Sequence, residues 1–419
     1  MLTLKADARQ VSDDCKATLL LCHEFGEGHL HGDAKPLSTW EYGQLVRFLQ
    51  ELGVRPAAIL HAETAEPILN KLPSELPASR VVSLLARGLS LSLAMETWRS
   101  RGIWVISRAD PDYPSRLKER FRLDAPPVLF GVGTPVFLDH GGFGVFGSRN
   151  ADDEGLCFAS DIGSRCACEG ITILSGCARG VDWAAMSGCL ENGGRAIGVI
   201  AERLDRAAIS AQYRAYIREE KLVLISMFAP EAPFLAGHAK GRDKYTYALS
   251  DHALVVSSER DKGGTWAGAT EQMKRLKHVP VYIRSEGHLP AGNIALLSMG
   301  GYPFPATEKI SSLAAFLGGK KDVSAQKFDF PPTTTIHSVQ QEEIFPDVAI
   351  TSQTVTKAKK KGRARSKSVN TLNPSDALAQ FALKLIAENA GDKAIPEDAA
   401  KILGVSTEQV ITWLSKKAT

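Results

Sequence analysis

Two short turns carry the chemistry that stands out. The apolar stretch Phe143–Phe146 runs into Gly147-Ser148-Arg149-Asn150, and Ile171–Leu174 runs into Ser175-Gly176-Cys177-Ala178-Arg179-Gly180-Val181-Asp182. Small residues at a strand end leave backbone N–H groups open to an anion, and an arginine beside them adds a planar fork that is always charged. Asp182 is placed to cap or orient the second turn. Each turn alone is an ordinary connection, but two on neighbouring strands would bring Arg149 and Arg179 to one sheet edge, which suits phosphate. A third stretch, Gly241-Arg242-Asp243-Lys244-Tyr245-Thr246-Tyr247, offers Arg242 and Lys244 as cations and Tyr245 and Tyr247 as rings. That mixture grips a nucleic-acid backbone and stacks bases; the alternative is a solvated helix start with both tyrosines packed inward. A fourth, Lys262-Gly263-Gly264-Thr265, opens a helix and makes a further anion cradle.

Reaction chemistry is harder to find. His140, His238, His252 and His278 have no motif around them, and the carboxylates at strand ends reduce to Asp182 and Glu271. Gly142-Phe143-Gly144-Val145-Phe146-Gly147 matches GxGxxG. In a dinucleotide fingerprint those glycines follow the strand and open the helix, whereas here they span the strand itself. The seven cysteines form no paired CxxC clusters, which speaks against structural zinc and for reduced core thiols. Cys22, His23, His29 and His31 match no common ligand spacing, and the glycines among them suggest a mobile loop. The expectation is a sheet edge that binds phosphates and bases, with no metal and no cofactor.

The elements that must position these groups follow from periodicity. With 419 residues, 44% hydrophobic, the chain has enough apolar material for two or three domains. Residues 1–36 read as an N-terminal segment. Residues 37–100 read as a small helical, SAM-like domain, with Leu45, Phe48, Leu49 and Leu52 at helical spacing and breaks at Pro73 and Pro77. Between 101 and 318, β-rich runs alternate with helix-length stretches at Gly155–Glu169, Asp182–Asn192 and Trp266–Lys277. That alternation predicts an α/β fold: a Rossmann-like, doubly wound parallel sheet covered on both faces, with ligands at the carboxyl ends of the strands. Residues 319–374 lose periodicity and read as a disordered basic linker, with Lys357, Lys359, Lys360, Lys361, Arg363, Arg365 and Lys367 forming a stripe free of acids. Residues 375–419 carry an Ala-rich helix, a Gly404 turn, a Ser406 cap and a second helix, the pattern of a helix-turn-helix or winged helix that serves either a DNA groove or a protein contact. Net charge is only +3, so the placement of charge matters more than its sum. No apolar run of about 18 residues predicts a membrane span, and no secretory leader is evident, so the expected compartment is the cytoplasm.

In this order the four units resemble the DprA/Smf family of DNA-processing proteins. The resemblance also rests on Asp110, Tyr113, Pro114 and Leu117, and on Pro126-Pro127-Val128-Leu129. It implies an extended Rossmann-like domain that binds single-stranded DNA, forms a homodimer and loads the RecA recombinase onto that DNA. Carried over by position, Arg149, Arg179, Arg242 and Lys244 line the strand-binding pocket. The chain departs from the family pattern where Arg-Asn-Arg becomes Arg242-Asp243-Lys244, where Met186 replaces a histidine, and where Gly263-Gly264-Thr265 replaces a Ser-Gly turn. These departures keep two other readings open. One is a DprA-like antitoxin or phage-defence component paired with a toxin such as a phosphoribosyltransferase. The other is a nucleotide hydrolase similar to the LOG type, with Glu271 as its catalytic carboxylate.

Overall fold

A computed structural model of the chain describes residues 11–25 and 35–318, which lie within one compact unit. His29, His31, the basic stripe from Lys357 to Lys367 and the helix-turn-helix region lie outside the described residues. The amino-terminal part is helical: α1 (Asp13–Cys22), α2 (Thr39–Glu51), α3 (Ala62–Leu69), α4 (Ala78–Leu85) and α5 (Gly88–Ser100). Strands and helices then alternate through β1 (Trp104–Ser107), α6 (Ser115–Phe121), β2 (Val128–Val132), β3 (Phe143–Gly147), α7 (Asp153–Cys168), β4 (Ile173–Ser175) and α8 (Val181–Glu191). They continue with β5 (Ala196–Val199), α9 (Leu204–Ala207), α10 (Ala211–Arg218), β6 (Leu222–Ser226), α11 (Ala236–Leu249) and β7 (His252–Ser257). The last are α12 (Gly263–Glu271), β8 (Val281–Arg284), α13 (Ala291–Ser298), β9 (Tyr302–Phe304) and α14 (Leu313–Gly318).

The nine strands form one sheet in the order β1-β2-β6-β5-β4-β3-β7-β8-β9. All neighbours pair in parallel except where β2 runs against β1 and β6. The strands read as unbroken apolar runs because both faces are buried. In β6, Leu222 and Leu224 enter one core while Val223 and Ile225 enter the other. The GxGxxG match lies along β3 itself, so its glycines serve the strand. Two strands escape the periodicity. Gly131 interrupts the apolar run of β2, and Pro303 sits in β9, which tolerates it as an edge strand.

α1 lies in what the sequence presents only as a terminal segment. It is buried almost all round, with Leu19 in the sheet core and Ala17 and Leu21 in the helical core. Because its buried residues, Asp14 and Thr18 among them, do not form one apolar stripe, α1 gives little amphipathic signal. His23 beyond it packs among Phe25, Trp98 and Phe130, and burial holds its imidazole down at about 3, as a neutral core group. No single helix among the described residues is long and apolar enough to cross a membrane.

The β3–β7 boundary is where the chain reverses its direction of winding, the usual ligand crevice of such sheets. Here the two strands stay joined past their ends, with the Ser148 N–H donating to the Ser257 carbonyl at 2.9 Å. The open space lies to one side instead, above β4 and β5.

Candidate functional site

A cleft of about 280 Å³ lies at this edge, and it brings together Arg149, Gly176, Arg179 and Arg242 from three separate stretches of sequence. Arg149 follows β3, Gly176 and Arg179 follow β4, and Arg242 comes from within α11. The wall is completed by Ile200, Ala201 and Glu202 after β5, Tyr213 of α10 and Phe234 before α11. Arg149 and Arg179 are exposed, and Arg179 donates to the Asn150 side chain at 3.2 Å. The Arg149 guanidinium stands 5.4 Å from the centre of the Phe234 ring, which is 45% exposed. Phe234 has the placement that the sequence assigned to a stacking tyrosine. Its only advance signal is an aromatic in a loop punctuated by Pro230 and Pro233.

Arg242 is of a different kind. It is buried beneath the cleft, its Nη1 donating to the Val199 carbonyl at 2.9 Å and its Nε lying 2.9 Å from the Asp243 carboxylate. Burial works against its charge, but Asp243 and Asp182 outweigh that and hold the guanidinium firmly protonated. Burial raises the Asp182 carboxyl to about 6, the nearby Asp243 adds to the rise, and Arg242 opposes it. Asp243 is raised by burial too, against the pull of Arg242 and Arg149. The floor of the cleft is therefore one arginine held between two buried carboxylates.

Both predicted anion cradles have occupants of their own. In the first turn the Ser148 N–H is bound to Ser257, the Asn150 N–H to the Ser148 hydroxyl, and the α7 N-terminus is capped by Asp152 through Gly155. In the second, Asp182 is buried beside the turn, where the Gly176 and Ala178 amides favour its charged form against the effect of burial. Gly180, at φ +86°, closes the two turns on each other: a Cβ there would meet the Ser148 carbonyl at 2.5 Å. Gly147 ends β3 in close approach to Val181, and the buried Ser175 hydroxyl donates to the Val145 carbonyl at 2.7 Å. The cations that face the cleft are side chains, not backbone amides.

Four expectations need correction. Lys244 does not join Arg242. The stretch is the middle of α11, two residues turn about 200° around a helix, and Lys244 lies over the rings of Phe121 and Tyr245. Tyr245 and Tyr247 do not offer faces to a base, because α11 is wedged between two cores. Tyr245 is 9% exposed against Phe121, and Tyr247 is 1% exposed and stacked on Phe146 at 4.0 Å. Lys262, Gly263, Gly264 and Thr265 do open α12, but outside the cleft: Lys262 pairs with Glu259, and a Cβ on Gly264 would lie 3.6 Å from the Asp243 carboxylate, an anion already in place. Glu271 is paired with Arg275 and does not line the cleft, so the LOG-like arrangement is not formed there.

Cys177 is the one residue with the local geometry of a nucleophile. It occupies a strand-to-helix turn at φ +57°. Its thiol, however, turns inward to 3.7 Å from the Met186 sulfur, and burial pushes it up to about 12. A thiol in that state attacks nothing. The arrangement offers cations, an aromatic face and a free carboxylate, which is equipment for holding a ligand.

Residues 104–313 match the family model described as DNA recombination-mediator protein A. The chain belongs to this family. DNA processing protein DprA of Bacillus subtilis is 28% identical over 202 residues, which cover 45% of this chain and 65% of that protein. The chain thus spans a little under two thirds of that relative. DprA of Streptococcus pneumoniae has a solved structure that covers 65% of this chain and 96% of its own, at 20% identity and a TM-score of 0.48. DNA processing protein A of Helicobacter pylori, solved for its single-stranded DNA binding mode, covers 52% and 94%, at 20% identity and a TM-score of 0.42.

Proposed function

We propose that this family member binds single-stranded DNA along the cleft above β4 and β5 and acts in DNA processing and recombination, as a mediator that loads RecA, working as a cytoplasmic homodimer and without catalysis of its own. The observation that carries the reading is the convergence of Arg149, Arg179 and Arg242 on one cleft from separate parts of the chain. Two exposed guanidinium groups grip successive phosphates, and Phe234 at the rim stacks a base. Arg242 sets the potential of the floor from below. Such a site is indifferent to sequence in its backbone contacts and sensitive to salt, because each neutralised phosphate releases counterions. The Lys357–Lys367 stripe would add affinity of the same sequence-blind kind.

The test is fluorescence anisotropy of labelled oligo-dT, of duplex DNA and of a nucleoside monophosphate across a salt series, with an Arg149→Ala/Arg179→Ala variant alongside. Preference for the single strand, a steep salt dependence and loss in the variant are the expected results. Equal binding by the variant, or hydrolysis of the monophosphate, overturns the reading.

A further inference from the structure

Glu202 has no place in a site built only for phosphates. It lines the cleft together with Arg149, Arg179 and Arg242, yet among the described residues its carboxylate makes no hydrogen bond and no ion pair. The other carboxylates at this edge are placed differently: Asp182 is buried, Asp243 pairs with Arg242, and Asp152 caps the α7 N-terminus. An unpaired anion in a cleft that attracts anions weakens phosphate binding unless it meets a donor on the ligand itself.

The loop that carries Glu202 is also held still. Next to it, the Arg203 N–H donates to the Ala232 carbonyl at 2.9 Å, tying this loop to the one that carries Phe234. Asp205 is buried and receives Arg101 at 2.7 Å and Arg203 at 2.8 Å. Through Asp205 the helical layer ties down the backbone of the loop that carries Glu202. Beside it stand Ile200, Ala201 and Phe234, the apolar and aromatic part of the cleft. The cleft therefore has a cationic part for a phosphate and an apolar part, closed by an acceptor, for a base.

We infer that Glu202 reads the base, and that it selects guanine. A carboxylate only accepts hydrogen bonds, and its two oxygens suit two donors side by side. Guanine offers that pair on its Watson–Crick edge, N1–H beside the 2-amino group. Adenine and cytosine place a ring acceptor next to their amine, and thymine flanks its single N–H with two carbonyls, so each of these sets a lone pair against the carboxylate. Single-stranded DNA leaves this edge free. Glu202 is thus a specificity-determining residue within a site that otherwise ignores sequence.

The inference rests on the proposed function, and the experiment separates the two. The full chain is titrated with oligo-dT, with repeats of dT-dT-dG of equal length, and with repeats of dT-dT-dI, in which hypoxanthine lacks only the 2-amino group. The guanine repeat is expected to bind about tenfold more tightly than oligo-dT, the discrimination typical of one good bidentate base contact, with the hypoxanthine repeat in between. In Glu202→Gln, which keeps the shape and removes the paired acceptor, the three affinities are expected to converge. Equal affinities in the unmodified chain, or a guanine preference unchanged in Glu202→Gln, overturn the inference. If oligo-dT still binds with Arg149-dependent salt sensitivity, the proposed function survives that result. If no single strand binds, both fall.

Discussion

A single methyl group placed on Gly176 tests the account of the cleft floor. The Arg242 guanidinium lies directly over this glycine. A Cβ there would stand 1.7 Å from Nη1, 2.1 Å from Cζ and 2.4 Å from Nη2. Ordinary contact between such atoms is about 3.5 Å, so the guanidinium must retreat by roughly 1.5 Å or more. A shift of that size breaks the 2.9 Å bond from Nη1 to Val199 and disturbs the 2.9 Å pairing of Nε with Asp243. Forcing a methyl into a filled interior costs about 1–3 kcal/mol, and losing a hydrogen bond made by a charged group costs about 1.5–3 kcal/mol. Because the displaced arginine keeps part of its pairing with the two carboxylates, Gly176→Ala is expected to lose roughly 3 kcal/mol, read from the denaturant midpoint at constant slope. It should also weaken oligo-dT binding. Arg242→Ala is expected to cost about 3–5 kcal/mol by leaving Asp182 and Asp243 unpaired. In that background the three atoms nearest the added methyl are gone, so Gly176→Ala should then cost under about 1 kcal/mol. A change within about 0.5 kcal/mol for Gly176→Ala alone, or the same cost in both backgrounds, would refute the reasoning.

The remaining predictions concern the cleft and its neighbours. Removing Arg149 and Arg179 together should flatten the slope of log affinity against log salt by about 1.4, or about 0.7 for each phosphate contact on a single strand; an unchanged slope would place the phosphates elsewhere. Phe234→Ala should weaken oligo-dT binding by about 1–3 kcal/mol, the worth of one stacked base. Tyr247→Phe should leave binding alone and raise stability by about 1 kcal/mol, since it removes a buried hydroxyl that has no partner. Asp182 supplies a pH dependence. Its folded value of about 6 lies above the ordinary carboxylate value of 3.8, so its contribution to stability is greatest below about pH 3.8 and declines until the pH passes about 6. Over the same range it becomes a buried anion beneath the cleft, so oligo-dT affinity should fall as pH rises, and Asp182→Asn should flatten that fall.

How far the site could be read in advance depended on what kind of signal each residue leaves. Arg149 and Arg179 were legible because strand, small-residue turn and arginine recur together, and parallel strands deliver such turns to one edge. Arg242 and Lys244 misled because their stretch looks like a loop: Gly237 and Gly241 lower its helix propensity, and no side chain caps the start at Leu235. Once it is a helix, spacing by two separates their side chains, and a helix between two cores buries Tyr245 and Tyr247 on different sides. Phe234 and Glu202 belong to no motif. They reach the cleft through the loops after β6 and β5, and only the strand order makes those loops neighbours. β2 and β9 were hidden by one glycine and one proline, and α1 by burying polar and apolar residues with no single apolar stripe.

The second turn folds around its own anion, and that has a consequence for what the cleft will accept. Asp182 is buried beside the Gly176 and Ala178 amides and, once ionised, is a covalently attached rival to any lone anion that approaches them. A lone phosphate must compete with it and gains little elsewhere. A polymer need not compete, because it spans several exposed side chains at once and each contact raises the local concentration of the next. On the proposed function, the tethered carboxylate would act as a filter on valence, disfavouring free nucleotides and phosphate more than a continuous strand.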